Sequence, residues 1–405
     1  MIVATEKSSK RYFVVCICCL VDFLFLQGTG VIQSIYAYSS TSVMIGPVSL
    51  PSCSSVVIET EGISTNTNAK QYETNITNLR GFNYRDQVLT TSHSRNFTGP
   101  TDNDRLVSDF HRFKHSGYNV IRIPIAWEAF EKNPIEFRKQ LERIADVADE
   151  TRIMVIYDVH QWGTSSYLFD WGMGFPRNMM MGYIEGGGET QQIRFWNDFF
   201  NNTIIVNGKT SWQLLSEFII TDIVAVVDSH PSTLGYEIIN EPELYDKSQY
   251  KKLGDLHTYV GQQIRNSGTT KYIFFDMDHP HGFNRDHMLD RLINPRGISN
   301  TVFSPHVYSI LRSDAASGSS TWQFSKWKEN AAKWGVPIFV GEWAVFGRDG
   351  INLNVQAFAC QGVGWSYWNY APPQYVNRLD YMVINDDYSA TAYWDYLKGA
   401  ITAHG

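Results

Sequence analysis

From residue 79 onward the chain alternates short apolar runs with amphipathic segments, and this alternation constrains the fold more than any other feature. Eight runs read as buried strands, at 79–84, 119–125, 152–159, 234–240, 271–277, 301–308, 336–342 and 363–369. Between them, apolar residues recur at helical spacing. Leu106, Phe110 and Phe113 stand at i, i+4 and i+7, as do Phe137, Leu141 and Ile144, and Leu215, Ile219, Ile223 and Val226 continue the pattern. Further helices fit 247–265, 322–333, 351–360 and 388–401, with a less regular segment at 286–293. Eight βα units predict an α/β fold, a TIM (β/α)8 barrel forming one domain over 79–405, rather than an open doubly wound sheet. No Gly-x-Gly-x-x-Gly opens the first unit.

In such barrels the active site lies at the C-terminal ends of the strands, so polar residues there carry information. The fourth run ends in Gly235-Tyr236-Glu237-Ile238-Ile239-Asn240-Glu241-Pro242-Glu243. Proline lacks the backbone donor a ladder needs and holds the preceding residue extended, which places Glu241 at a strand end with Asn240 beside it. A second carboxylate, Glu342, ends the seventh run 101 residues later (342 − 241). Arg122 lies in the second run and His160 follows the third. His306 and Tyr308 stand two apart in the sixth and so share a face. Trp365 and Trp368 lie in the eighth. Taken singly, each has a plain structural reading: a turn glutamate, an ion-paired arginine, a core histidine, Asp158 capping a turn. Trp127, Trp196, Trp212, Trp327 and Trp334 suit the packing of the outer layer. Six strand ends carrying these residue types in one order are hard to explain as packing.

The chain from about Leu79 to Ile401 resembles glycoside hydrolase family 5, the cellulase-type retaining glycosidases. The matching motifs are Arg80-Gly81-Phe82-Asn83, Arg122 in Ile-Arg-Ile-Pro, His160, Asn240-Glu241-Pro242, His306-Val307-Tyr308, Gly341-Glu342 and Trp368. The resemblance implies Glu241 as general acid/base and Glu342 as nucleophile, with Arg122, His160, Asn240, His306, Tyr308 and Trp368 binding substrate or supporting the pair. The chemistry needs such a set. A retaining enzyme holds two carboxyls about 5–5.5 Å apart, one protonating the leaving oxygen and one attacking the oxocarbenium-like carbon. Arg122 and Tyr308 would hold Glu342 ionised, since a cation and a donor favour the charged form. Glu241, with no neighbouring cation in this reading, would keep its proton. Asn240 would bond the sugar 2-hydroxyl, His160 and His306 would act as donors, and Trp368 would offer a flat face to a sugar ring.

Other chemistries lack their parts: there is no P-loop, dinucleotide fingerprint or Gly-x-Ser-x-Gly elbow, so no cofactor is expected. No metal is expected either, although Asp276, Asp278, His279 and His281 form a local cluster that a divalent ion could occupy. A net charge of −7, with no basic run beyond Lys251-Lys252 after the N-terminus, argues against nucleic acid as a partner. Cys16, Cys18 and Cys19 fall in the N-terminal apolar stretch, which leaves Cys53 and Cys360 either as one bridge or as two free thiols.

Residues 1–38 read as a signal peptide or an N-terminal membrane anchor: Lys7, Lys10 and Arg11 precede an apolar run too short for an ordinary span. Residues 39–78 read as a Ser/Thr/Asn-rich linker. The expected enzyme is therefore an extracellular or surface-tethered monomer acting on a polysaccharide, a β-1,4-glucan such as cellulose. A β-mannanase or another β-glucan hydrolase of the same family, and a non-catalytic carbohydrate-binding barrel, are the alternatives. The insertion 161–189, with Trp162, Tyr167 and Trp171, would be a lid, a cleft wall or a decoration.

Overall fold

The computed structural model describes residues 14–18, 40–44, 75–94, 103–246, 248–276, 297–308, 319–345, 347–371 and 382–404. Eight parallel strand positions line the barrel: β1 (Arg80–Tyr84), β2 (Val120–Ile125), β3 (Met154–Val159), β4 (Thr233–Glu237), β5 (Tyr272–Phe275), β6 in two segments (Thr301–Phe303 and His306–Tyr308), β7 (Phe339–Ala344) and β8 (Gly364–Tyr370). The sheet closes through β6. Its first segment pairs with β5, Phe303 opposite Phe275, and its second pairs with β7, His306 opposite Glu342. β8 then pairs with β1, Trp365 opposite Arg80, so the two edges of the sheet are two pieces of one strand.

The period of two along each strand builds the interior in layers. Val120, Ile156, Phe274, Val302 and Phe339 form an apolar layer inside the barrel, floored by Ile76 and Leu79. Two residues on, the same inward face carries Arg122, Asp158, Asp276 and Ser304, all buried. Ile121, Ile123, Ile125, Val155, Tyr157 and Val159 point the other way, into the larger core beneath the helices. One alternation therefore packs the barrel and stacks a polar layer on top of it.

Helices Asn103–His115, Pro134–Thr151, Ser211–Phe218, Gln249–Asn266, Ser319–Trp334, Gly347–Gln361 and Ala392–His404 match the amphipathic spacing. The third continues through a π-helical stretch, Ile219–Val224. Trp196 and Trp327 are buried in the outer layer, with Trp212 and Trp334 packed against it. Boundaries differ where the chain leaves its ladder. β4 stops at Glu237, short of the expected Asn240, although the Asn240 N–H still reaches the Val159 carbonyl of β3; beyond it Glu241 takes a left-handed φ of 37° and the chain turns away. The last helix starts at Ala392 rather than 388, since Tyr388 has φ 64°. Ahead of residue 75 only strands Val14–Cys18 and Ser40–Met44 are described, and they pair antiparallel. Among the described residues no helix is long and apolar enough to cross a membrane. Cys360 is disulfide-bonded, and Cys53 lies outside the described residues, as does the segment at 286–293.

Candidate active site

The polar layer is organised around Arg122, which is fully buried. Its guanidinium donates to Glu237 through Nε (2.9 Å) and Nη2 (2.6 Å), to Asn240 Oδ1 (2.8 Å), to Asn83 Oδ1 (2.8 Å) and to Glu342 Oε1 (2.7 Å). Asp158 stands 3.1 Å from Nη2. Burial alone would weaken the cation, but Asp158, Glu237 and Glu342 outweigh it and push its pKa well above the ordinary arginine value. A flat fork with five donors suits this role, which a lysine could not fill. Glu237 went without a role in the strand reading, although a charged residue in the middle of a buried run was the available signal.

Glu241 and Glu342 lie close together: one carboxylate oxygen of each and a ring nitrogen of His306 all lie within 4.8 Å of one another. His306 Nδ1 sits 2.7 Å from Glu241 Oε1 and 3.6 Å from Glu342 Oε2, and its Nε2 is 3.4 Å from Asp276 Oδ2. Burial works against a charge on this ring, yet Asp276, Glu342 and the bond to Glu241 together raise it to about 10. Glu241 thus has a neighbouring cation, contrary to the expectation of none, because β6 brings His306 across the barrel. The ring has room only because residue 341 is glycine: a Cβ there would meet Ser304 Oγ at 2.5 Å and His306 Nε2 at 3.0 Å. Asp276, buried, accepts the Glu241 N–H at 2.7 Å, and its own pKa is raised well above the usual carboxylate value, chiefly by desolvation.

His160 takes a different state. Its Nδ1 lies 2.7 Å from Asp158 Oδ2, and burial lowers its pKa to about 3, so the ring is neutral and donates that proton to Asp158. Its other nitrogen is then an acceptor, not the donor expected from sequence. Asp158 is no turn cap: desolvation, partly offset by Arg122 and His306, brings it to about 6. Trp368 is half-buried and stacks on His160, with centroids 5.6 Å apart and planes 8° off parallel. Trp365, in contrast, belongs to the core, edge-on to Trp343 at 5.3 Å. The side chain of Tyr308 lies outside the described residues, as do Asp278, His279 and His281.

The insertion after β3 is tied by hydrogen bonds to the Asn240-Glu241 segment. Gln161 Nε2 donates to the carbonyls of Asn240 (3.2 Å) and Glu241 (2.7 Å), and the Asn240 amide donates back to the Gln161 carbonyl (3.1 Å). Trp162 and Met173 pair through their backbones, and the Trp196 indole donates to Thr164 Oγ1 at 2.7 Å. Buried Glu128 accepts from Ser165 Oγ (2.7 Å) and from the N–H groups of Ser166 and His93 (2.8 Å each). This scaffold leaves Trp162 and Trp171 about half exposed, 5.9 Å apart.

A closed parallel barrel with two glutamates and an arginine at the ends of its strands meets an independent finding. The family model described as Cellulase (glycosyl hydrolase family 5) matches residues 68–374. The chain belongs to glycoside hydrolase family 5. A search of curated proteins finds no match. Among solved structures, the chain is similar to endo-glycoceramidase II from Rhodococcus sp., at 20% identity and TM-score 0.60, covering 79% of this chain and 78% of that one. It is also similar to an endogalactoceramidase, at 19% identity and TM-score 0.63, covering 80% of each chain. The cellulose synthase subunit Z of Clostridioides difficile matches at 16% identity and TM-score 0.52, over 80% of this chain and 99% of that one. At such identities the likeness concerns the fold. This family 5 glycosidase carries its strand-end motifs on the eight-stranded barrel that the motifs imply.

Proposed function

We propose that this chain is a retaining endo-glycosidase that cleaves β-1,4-glucan by double displacement. The observation that supports it is the closeness of Glu241 and Glu342, one carboxylate oxygen of each lying within 4.8 Å of the other, in keeping with the roughly 5–5.5 Å between the carboxyl groups of a retaining pair. Glu342, ion-paired with Arg122, attacks the anomeric carbon as the C1–O bond breaks, and Glu241 passes to the departing oxygen a proton handed to it by the charged His306 ring, whose Nδ1 lies 2.7 Å from its Oε1. Water then attacks C1, Glu241 takes its proton, and the Glu342 carboxylate leaves. Asn240, its carbonyl engaged by Arg122, turns its amide N–H groups outward, one to Gln161 and one to a substrate hydroxyl. Trp368 backs the sugar ring.

Recording the anomer first released from defined cello-oligosaccharides tests the assignment: the β-anomer is expected, and an α-anomer would falsify it. Glu342→Gln and Glu241→Gln should each abolish hydrolysis of carboxymethylcellulose in folded protein, and full activity in either would refute the pair.

A second reading has its own support. The similar solved structures include an endo-glycoceramidase and an endogalactoceramidase, and the exposed Trp162 and Trp171 adjoin the site through Gln161. On that reading the substrate is a glycolipid, cut between its oligosaccharide and its lipid. Rates on carboxymethylcellulose, mannan, glucomannan, laminarin and a lactosyl glycolipid in detergent separate the two readings and the mannanase alternative. Sugar-dependent tryptophan quenching with no turnover on any of them would instead favour a binding barrel.

A further inference from the structure

We infer that Asp276 is a positioning residue for Glu241, setting the carboxyl through its backbone. The inference rests on the acid/base role proposed for Glu241. Asp276 falls outside the strand-end motifs that mark the family in this chain, and the sequence marks it only as one member of a local Asp/His cluster, with no link to Glu241. The geometry does. Glu241 adopts φ 37°, a left-handed conformation that an L-residue with a full side chain holds only when its surroundings impose it. Two contacts impose it here. The Glu241 N–H donates to Asp276 Oδ2 at 2.7 Å, and the Glu241 carbonyl accepts from Gln161 Nε2 at 2.7 Å. Both peptide groups flanking the Glu241 side chain are therefore held from outside the strand, by β5 on one side and the β3 insertion on the other.

The same Oδ2 faces His306 Nε2 at 3.4 Å, while His306 Nδ1 meets Glu241 Oε1 at 2.7 Å. One buried carboxylate oxygen thus governs Glu241 twice, directly at its backbone and through an imidazole at its side chain. The bond is short, and in a site where Asp276 is 1% exposed no water competes for it. Without it the backbone of Glu241 is free to relax toward the extended conformation, and the carboxyl swings off the line to the leaving oxygen. Glu342, held separately by Arg122, stays where it is.

A positioning role for the acid/base makes a loss that depends on the leaving group. In Asp276→Ala, cleavage of cellotetraose, whose leaving alcohol needs a proton, should fall by about 100-fold. The initial burst of dinitrophenolate from 2,4-dinitrophenyl β-cellobioside, whose leaving group departs without a proton, should stay within about 10-fold of wild type. Azide should then speed the steady state with this substrate, since it forms the C1–N bond and frees Glu342 without needing a base, and β-cellobiosyl azide should accumulate. Asp276→Asn, which keeps an acceptor for the Glu241 N–H, should recover most of the lost cellotetraose activity. If Asp276→Ala does not fold, Asp276→Glu, which keeps the charge but moves the acceptor, should show the same selective loss. Equal losses on both substrates with no azide effect, or no loss at all, would overturn the inference. A wild-type enzyme inert toward both glycosides would count instead against the glycosidase reading on which it rests.

Discussion

Replacing Arg122 with methionine tests whether the polar layer is held by one cation. The substitution keeps most of the stem but removes a guanidinium that donates to Glu237, Asn240, Asn83 and Glu342 and neighbours Asp158. Breaking a buried ion pair by deleting one partner costs about 3–5 kcal/mol, because the remaining charges stay buried without compensation. The expected barrel domain, 79–405, has about 330 residues, and an unfolding entropy of about 2.1 cal/mol/K per residue makes each kcal/mol worth about 1.4 °C. The expected fall in Tm at pH 7 is therefore about 4–7 °C, read by calorimetry or far-UV circular dichroism. The pH dependence sharpens the test. Asp158 already sits near 6 in the folded protein, above its unfolded value of 3.8, so the fold binds its proton more tightly. Its burden on stability is full above pH 6 and is relieved as pH falls toward 3.8. Loss of Arg122, which lowers the Asp158 value, moves that relief to higher pH, so the deficit should shrink at pH 5. Arg122→Lys, with a charge but fewer donors, should fall between. A methionine variant melting within about 1 °C of wild type, or a deficit that grows at pH 5, would refute the reasoning.

His306, raised to about 10, stabilises the fold fully below its unfolded value of 6.5, and that contribution is lost as pH rises through 10. The wild-type Tm should accordingly drop between pH 7 and 10, and His306→Gln should flatten that drop. Gly341→Ala forces a Cβ against Ser304 Oγ and the His306 ring, so kcat should fall by about 10-fold or more with the melt little changed; unaltered kcat would show that the ring can move aside. Trp162→Ala and Trp171→Ala each remove an exposed ring beside the site. KM for the preferred long substrate should rise by about 2- to 10-fold while dinitrophenyl cellobioside is turned over normally, and equal effects on both would place the rings elsewhere.

The barrel was legible because its signal is local. A two-residue period in Val120-Ile121-Arg122-Ile123-Pro124 already sorts Val120 and Arg122 to one face and Ile121 and Ile123 to the other. The candidate site was legible where chemistry-bearing residues interrupt such runs near their ends, as at His160, Asn240-Glu241 and Glu342. Glu237 and Asp276 interrupt runs too, but their partners, Arg122 and the Glu241 N–H, lie 115 and 35 residues away in the chain. No spacing announces such a contact. The state of the two histidines was equally hidden. Similar in sequence setting, they end in different charge states, His160 neutral and His306 cationic, since His160 faces one carboxylate beside an arginine and His306 stands among three.

The sequence by itself determined the class of fold, the order of the strands and the placing of Arg122, His160, Asn240, Glu241, His306 and Glu342 toward one end of the barrel. All of these follow from hydrophobic period and from the rule that successive parallel strands present their C-terminal ends on one face. Tertiary structure alone decided which carboxylate each cation serves. It decided that Glu241 neighbours a charged imidazole, and that its backbone is held by Asp276 and Gln161. Electrostatics at a buried site depends on ångström separations and on exclusion of water, and both arise only when strands distant in sequence close into one barrel.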